Sequence, residues 1–402
     1  MQIDPETTLF EITETWPETV PVFVSQGFPQ MQDAAKRSAF GKQVSLRQAL
    51  QLKNIDLEAF VRRLQGAITG IDGKLAGAGG APAAGKKINV VGLLPCPVRI
   101  PMLEAFEPFI EEYRQETGLE INYELQAASM GAAWIHDNLE GVTDAAALPD
   151  LFISAGFETF FDPNGLGRFR DDFYDGLPFE GFNSSFDGLD LQDPGGHYSV
   201  ISVVPAVFMV NMNEIGDRPV PRTWEDILDP RFEQRVSLPV GDFDLFSGIL
   251  LDMHQRYGED AVRRLGRSLA SSMHPAQMIK LGRKSSAPIV TIMPYFFTRM
   301  AKEGGPMKAV WPEDGAIVSP IFLLAKKSAR EQVQPIVELF GSKRLGEILA
   351  HKGLFPSTHP EVDNRLPPGS KFSWLGWEFV KNNDVTALIK RCEALFEEGR
   401  GS

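Results

Sequence analysis

The segment from Gly70 to Lys87 centres on Gly77-Ala-Gly-Gly-Ala-Pro-Ala-Ala-Gly-Lys-Lys87, a run without one large apolar side chain. It has nothing to bury, so it is expected to be a flexible linker, and it prevents the chain from closing round a single core. The 402 residues therefore divide into a module at 1–69 and a body at 88–402, within the two or three domains expected of this length.

The module reads as about four short helices. Thr8 and Glu11 have capping-box spacing ahead of Leu9, Phe10 and Ile12, and Ser45 with Gln48 repeats the device before Leu46 and Leu50. Asp56 is placed to cap a last helix with Leu57, Phe60, Val61 and Leu64 on one face. From Ile88 strands alternate with helices, which predicts an α/β body. Ile88–Leu94 suits a buried parallel strand. Met102, Leu103, Phe106, Phe109, Ile110 and Tyr113 then recur at helical spacing before Gly118, and a second strand (Leu119–Leu125) and a third (Asp150–Ser154) follow. Tyr198–Asn211 is a long apolar run read as strands passing into a second lobe. Further on the pattern predicts a strand at Val236–Val240, a helix at Leu245–Tyr257, a strand at Ala287–Met293, a helix from Phe296, a strand from Ile317, and helices at Glu331–His351 and Val385–Phe396.

A formal charge of −13 disfavours broad contact with nucleic acid or an anionic membrane surface. No apolar run is long enough to span a bilayer, so membrane insertion is not expected. The two cysteines, Cys96 and Cys392, exclude a disulfide framework, a zinc ribbon or a multi-cysteine cluster. The acidic start, with no basic n-region, leads to a cytoplasmic expectation unless the native start lies upstream of Met1. Walker, GxSxG and HExxH signatures are missing, and His136, His197, His254, His274, His351 and His359 lack ligand spacing, so neither a metal nor a cofactor is expected. Asp171-Asp172 and the Asp242/Asp244 pair read as solvated groups or caps, Asp242 being the one nearest an inter-lobe cleft.

Candidate ligand positions lie where strands end, because in open parallel sheets ligands bind beyond the carboxyl ends. The first strand runs into Leu93-Leu-Pro-Cys-Pro-Val-Arg-Ile-Pro101, stiffened by three prolines and offering Pro95, Cys96 and Arg99. After the second strand come Ser129 and Met130, and after the third Gly156 and Phe157. The matching places in the second lobe are Asp242 and Tyr295. Packing of Cys96 and simple helix capping by Ser129 are the alternative readings.

These residues carry a resemblance. Leu148-Pro-Asp-Leu-Phe-Ile-Ser154, Val207-Phe-Met-Val-Asn211, Pro221-Arg-Thr-Trp-Glu-Asp-Ile-Leu-Asp-Pro230, Arg235-Val-Ser-Leu-Pro239, Trp311-Pro-Glu-Asp-Gly315 and Pro320-Ile-Phe-Leu-Leu-Ala325 occur in order. From Ile88 to Glu397 the chain resembles the type 2 periplasmic solute-binding proteins, most closely the iron(III)-type branch of the ABC-transporter substrate-binding family. The resemblance implies two α/β lobes, at about 88–205 with part of the C-terminal region and about 206–315, joined by hinge strands and closing over a small molecule. It also implies an ABC permease as partner. Iron(III) members carry adjacent tyrosines after a second-lobe strand; here Tyr295 is followed by Phe296, and one phenolate without histidine or carboxylate support is a poor ferric site. An anionic or small organic ligand is the expectation instead. The module resembles a small domain of unknown function found near hybrid-cluster and iron–sulfur repair proteins. Its Gly-Met-x-Cys-x-x-Cys turn reads Gly27-Phe-Pro-Gln-Met-Gln-Asp33 here, which leaves packing, dimerisation or docking of a protein partner.

The resulting expectation is a non-enzymatic solute binder or sensor with a helical interaction arm. The alternatives are a Cys96-dependent enzyme on the same fold and a non-catalytic adaptor.

Overall fold

Short helices open the chain in the computed structural model, which describes residues 4–16, 19–25, 28, 31, 37–38, 41–42, 44–52, 57, 60–61, 64, 87–128, 142–240, 243–271, 288–302 and 304–401. The expected linker as far as residue 86, the Asp56 cap, and Ser129, Met130 and Asp242 lie outside these residues. Contacts divide the chain into two units, Met1–Ala84 and Gly85–Ser402.

In the first unit α1 (Leu9–Thr15), α2 (Val20–Ser25) and α3 (Leu46–Leu52) follow in order. The Glu11 N–H donates to Thr8 Oγ1 at 3.2 Å while the Glu11 carboxylate accepts the Thr8 N–H at 3.1 Å. Ser45 and Gln48 form the same reciprocal pair. Each box satisfies donors that a helix start leaves open. The two starts are then tied together, Leu9 N–H to the Val44 carbonyl and Leu46 N–H to that of Thr7. Their apolar faces meet in a core of Leu9, Ile12, Met31, Leu46, Leu50, Phe60 and Leu64, with Leu57 and Val61 packed against it. Phe28, in the turn that lacks cysteines, is an anchor of this core, 6.1 Å from the Phe23 ring and 6.5 Å from Phe60.

The second unit is a two-lobed α/β body. Its strands are β1 (Lys87–Leu94), β2 (Glu120–Ala127), β3 (Leu151–Ala155), β4 (Phe173–Tyr174), β5 (Ser199–Asn211), β6 (Val236–Ser237), β7 (Leu269–Ser271), β8 (Val290–Pro294), β9 (Met307–Val310), β10 (Ala316–Lys326) and β11 (Phe372–Ser373). They run in the order β2-β1-β3-β10-β5-β8-β6-β7. In the first lobe β1 pairs in parallel with β2 and β3, with α4 (Arg99–Thr117) as the crossover, ended by Gly118 at φ 69°. Asp150 fastens this lobe: its carboxylate accepts the Asn89 N–H and pairs with the buried Lys326, which also donates to the Leu148 carbonyl.

β5 and β10 carry the chain between lobes. Every residue of both is buried, as continuous apolar runs on a doubly covered sheet require. Residues 199–205 of β5 lie antiparallel to β10, whereas residues 206–211 lie between β8 and β9. Pro205 stands where the partner changes from β10 to β8, Pro294 closes β8 opposite Ala206, and Pro320 precedes the β10 residues that pair with β3. Each proline withholds a ladder donor at the changeover, which makes this pairing bend more readily than a continuous sheet. The entry to β5 is pinned by Ser199, whose hydroxyl donates to Asp175 and accepts the Gly176 N–H.

In the second lobe α5 (Phe243–Ser268) breaks at Gly258, where φ is 77°. After α6 (Arg330–Phe340) and α7 (Lys343–Glu347), the chain returns and ends in α8 (Val385–Gly401), packed along α5. The two backbones approach so closely that a Cβ on Gly399 would sit 1.9 Å from the Arg263 carbonyl oxygen, and one on Gly266 would sit 2.1 Å from that of Phe396.

Two outcomes follow from this packing. Gly399→Ala should lower the unfolding free energy by about 1–3 kcal/mol through overpacking, measured by chemical denaturation. The second concerns Asp175, whose carboxyl burial pushes above its ordinary value of 3.8, against the opposing Ser199 hydrogen bond. The native state therefore holds that proton more tightly than the unfolded chain, and the contribution is full below 3.8 and lost as pH rises through the folded value. The stability of the wild type relative to Asp175→Asn should accordingly fall between about pH 4 and neutrality in urea titrations; a rise would contradict the assignment.

Candidate functional site

The candidate positions lie on the loops that leave β1, β3 and β8. After β1, the N–H groups of Val98 and Arg99 both turn back to the Pro95 carbonyl, and Pro101 has no N–H to offer. The start of α4 thus presents few open donors to an anion. Pro95 is buried, Cys96 is an exposed free thiol, and the Arg99 side chain donates through Nε to the Leu125 carbonyl at 2.8 Å, tying the β1 loop to the end of β2.

After β3, Gly156 takes φ 122°, open only to glycine in practice. Phe157 does not present its ring to an open face. It is 1% exposed, stacks on Trp374 at a centroid distance of 5.9 Å, and lies against Gly248 of α5. The ring joins the end of a first-lobe strand to a second-lobe helix, because burial among aromatics is worth more to a phenyl group than exposure.

After β8, Pro294 leads into a 3₁₀ turn, Tyr295–Met300. Tyr295 is half-buried with its ring edge-on to Trp311 at 5.1 Å. Burial raises its phenol above 10, against the pull of Arg299, so it is a neutral hydroxyl at physiological pH. Phe296 stacks on Phe355 at 6.4 Å, and Arg299 donates to the carbonyls of His351 and Lys352. Gly353 is wedged between Phe355 and Val98, where a Cβ would meet the two side chains at 2.3 and 2.5 Å. Val98, Gly353, Phe355 and Phe296 thus connect the loops after β1 and β8. Of the residues expected from sequence, Pro95, Cys96, Arg99, Gly156, Phe157 and Tyr295 each stand just beyond a strand end, and the contacts above join the loop after β1 to the loop after β8, while Phe157 turns away to Trp374 and Gly248. The structure adds Val98, Phe296, Arg299 and the 353–355 segment, which no local pattern marked apart from the Phe-Phe-Thr-Arg run after Tyr295.

A network behind Tyr295 sets its orientation. Trp311 is held by its indole N–H to the Lys371 carbonyl at 2.7 Å. Three residues on, the Asp314 carboxylate accepts the Trp224 N–H at 3.1 Å, the Tyr257 hydroxyl at 3.2 Å and the Arg256 guanidinium at 3.2 Å. The Trp224 indole donates to the Gly315 carbonyl, Thr223 and Asp226 form a capping box, and Arg222 pairs with Glu313. Arg256 also reaches Asp252, which accepts the Ser373 hydroxyl. The Thr-Trp-Glu-Asp and Trp-Pro-Glu-Asp-Gly blocks are therefore two halves of one joint.

A family model described as bacterial extracellular solute-binding protein matches residues 146–383, more than half of the chain. The chain belongs to that family. A second model, a domain of unknown function (DUF1858), matches residues 3–61. No curated protein matches the chain. Among solved structures, a ferric binding protein from Campylobacter jejuni is 14% identical with a TM-score of 0.54, covering 78% of this chain and 99% of its own. The periplasmic binding protein AfuA from Actinobacillus pleuropneumoniae, with exogenous fructose-6-phosphate bound, is 16% identical with a TM-score of 0.53, covering 80% and 100%. An ABC transporter structure from Clostridium perfringens is 14% identical with a TM-score of 0.54, covering 77% and 99%. At such identities the solute-binding family shares its two-lobed fold with this chain, and the site must be argued from its own residues.

Asp314→Ala should strip three donors of their acceptor at once and lower the unfolding free energy by roughly 3 kcal/mol, with Asp314→Asn costing less. Equilibrium denaturation checks the order of the two variants.

Proposed function

We propose that the protein captures a small anionic or organic solute between its two lobes and delivers it to an ABC-type permease. The observation that carries this reading is the pair at the end of β8. Tyr295 is kept protonated by burial, and the adjacent position is Phe296, stacked on Phe355. A hard trivalent cation needs several anionic oxygen donors, whereas a neutral hydroxyl beside an apolar ring suits a partly organic ligand whose oxygens accept hydrogen bonds. Similarity to a fold that holds fructose-6-phosphate in AfuA makes sugar phosphates a reasonable first class of probe. The amino-terminal unit, with its own core, we propose as the docking arm for a protein partner.

Thermal-shift titration of the full chain against ferric citrate, inorganic phosphate, hexose phosphates and short carboxylates tests the reading. A native-state binder at 100 times its Kd adds about 2.7 kcal/mol of stability. The expected result is a shift with an anionic or organic compound, weakened about tenfold in affinity by Tyr295→Phe, the size of one lost hydrogen bond. Stabilisation by ferric iron alone would reject it.

A further inference from the structure

The chain from α7 runs on without a break into a π-helical turn, Ile348–Lys352, and then reverses through Leu354 at φ 51°. A left-handed backbone is costly for a branched side chain, and both it and a π turn concentrate where a structure switches. Leu354 occupies the position that glycine usually takes after a helix, and the Phe355 N–H closes the end onto the Leu349 carbonyl. That closure leaves the carbonyls of His351 and Lys352 to other donors. Both are taken by one guanidinium, Arg299, which comes from the loop after β8 in the second lobe. The helix end itself belongs to the first lobe. Gly353 abuts Val98 of the β1 loop, and the Pro356 carbonyl accepts the Ser202 hydroxyl and the Val203 N–H on the β10-paired half of β5.

We infer that Arg299 is a latch that caps this helix end across the lobes and holds them together before any solute arrives. A guanidinium fork matches two adjacent carbonyls, and a cation at a helix C-terminus is favoured by the helix dipole. The Phe296–Phe355 stack lies beside the fork and opens with it. Parting the lobes separates Arg299 from both carbonyls at once, so the contact counts wholly toward the closed state and not toward the fold of either lobe. The left-handed turn at Leu354 also closes the end onto Leu349 within the first lobe, so its strain is carried by the open and the closed state alike. Solute affinity is then set partly by this equilibrium, since a ligand that needs closed lobes binds in proportion to their population. The inference rests on the reading that the lobes move around a solute, but not on which solute it is.

Distance measurements between spin labels on encoded non-natural residues at the exposed positions Glu112 and Glu225, one in each lobe, test it on the full chain without ligand. Arg299→Met should raise the ratio of long to short distances about tenfold, the effect of one charge-assisted hydrogen bond pair. Arg299→Lys should fall between it and the wild type. Leu354→Gly, which relieves the turn in both states, should leave the ratio at the wild-type value, and Arg299→Lys provides a reading even where Arg299→Met folds poorly. Distributions that do not change in any variant, while the wild type still responds to a stabilising solute, would overturn the latch alone. Distributions that respond neither to substitution nor to any solute would overturn lobe movement, and the latch with it.

Discussion

The antiparallel contact between the first half of β5 and β10 is the one pairing on which both lobes depend. Both strands are buried along their whole length, so neither can leave the interior without exposing a long apolar run. Yet the ladder is interrupted by Pro205, Pro294 and Pro320 where strands change partner. Burial keeps the strands together and the missing donors let them flex, which is the combination a hinge requires. The loop after β8 begins at Pro294, which faces Ala206 at this changeover. A small change of angle there moves Tyr295 and Arg299 relative to the 351–355 segment while leaving each lobe's packing intact.

What was legible in the sequence followed from burial. The run Tyr198–Asn211 was expected as strands and is a single strand from Ser199 to Asn211. The helix expected to end at Tyr257 breaks at Gly258, where glycine alone accepts the backbone. The strands missed were β4, β7, β9 and β11, which are two to four residues long. Each owes its existence to a tertiary partner rather than to its own pattern: β4 and β11 pair with β10, β7 with β6 and β9 with β5. The helix expected from Glu331 to His351 is instead α6, then α7, then a π-helical turn. The break was signalled by Gly341-Ser342, Ser342 accepting the Leu345 N–H as a cap. At the site, Tyr295 was expected from its place after the strand read at Ala287–Met293, and the structure puts it directly after β8. The 353–355 segment was not, since no residue preference announces a leucine in a left-handed turn. Reading Phe157 as a ligand contact took its place after a strand end as the guide, whereas its neighbours Trp374 and Gly248 come from distant parts of the chain.

The Asp314 joint explains why two separated blocks recur together in this chain. Asp314 starts the short helix Trp224–Ile227 by accepting its first N–H, and the Trp224 indole answers by fixing Gly315, one residue before β10 begins. The entry of the hinge strand is therefore determined from the second lobe. Trp311, at the head of the same turn, is packed against Phe372, itself stacked on Phe186 of the first lobe at 4.9 Å. A row of aromatic rings, Tyr295, Trp311, Phe372 and Phe186, thus runs from the site into the opposite lobe.

That row bears on selectivity. A phenol binds a hard metal only after losing its proton, and loss is favoured by nearby cations and solvent. Here burial opposes that loss against the pull of Arg299, whose guanidinium is itself held by the backbone carbonyls of His351 and Lys352. Tyr295 and Phe296, the pair that stands where iron(III) members carry adjacent tyrosines, are held by contacts to Trp311 within the second lobe and to Phe355 across the lobes. A single Phe296→Tyr substitution would therefore add a hydroxyl to a stacked ring without supplying the charge a trivalent ion needs.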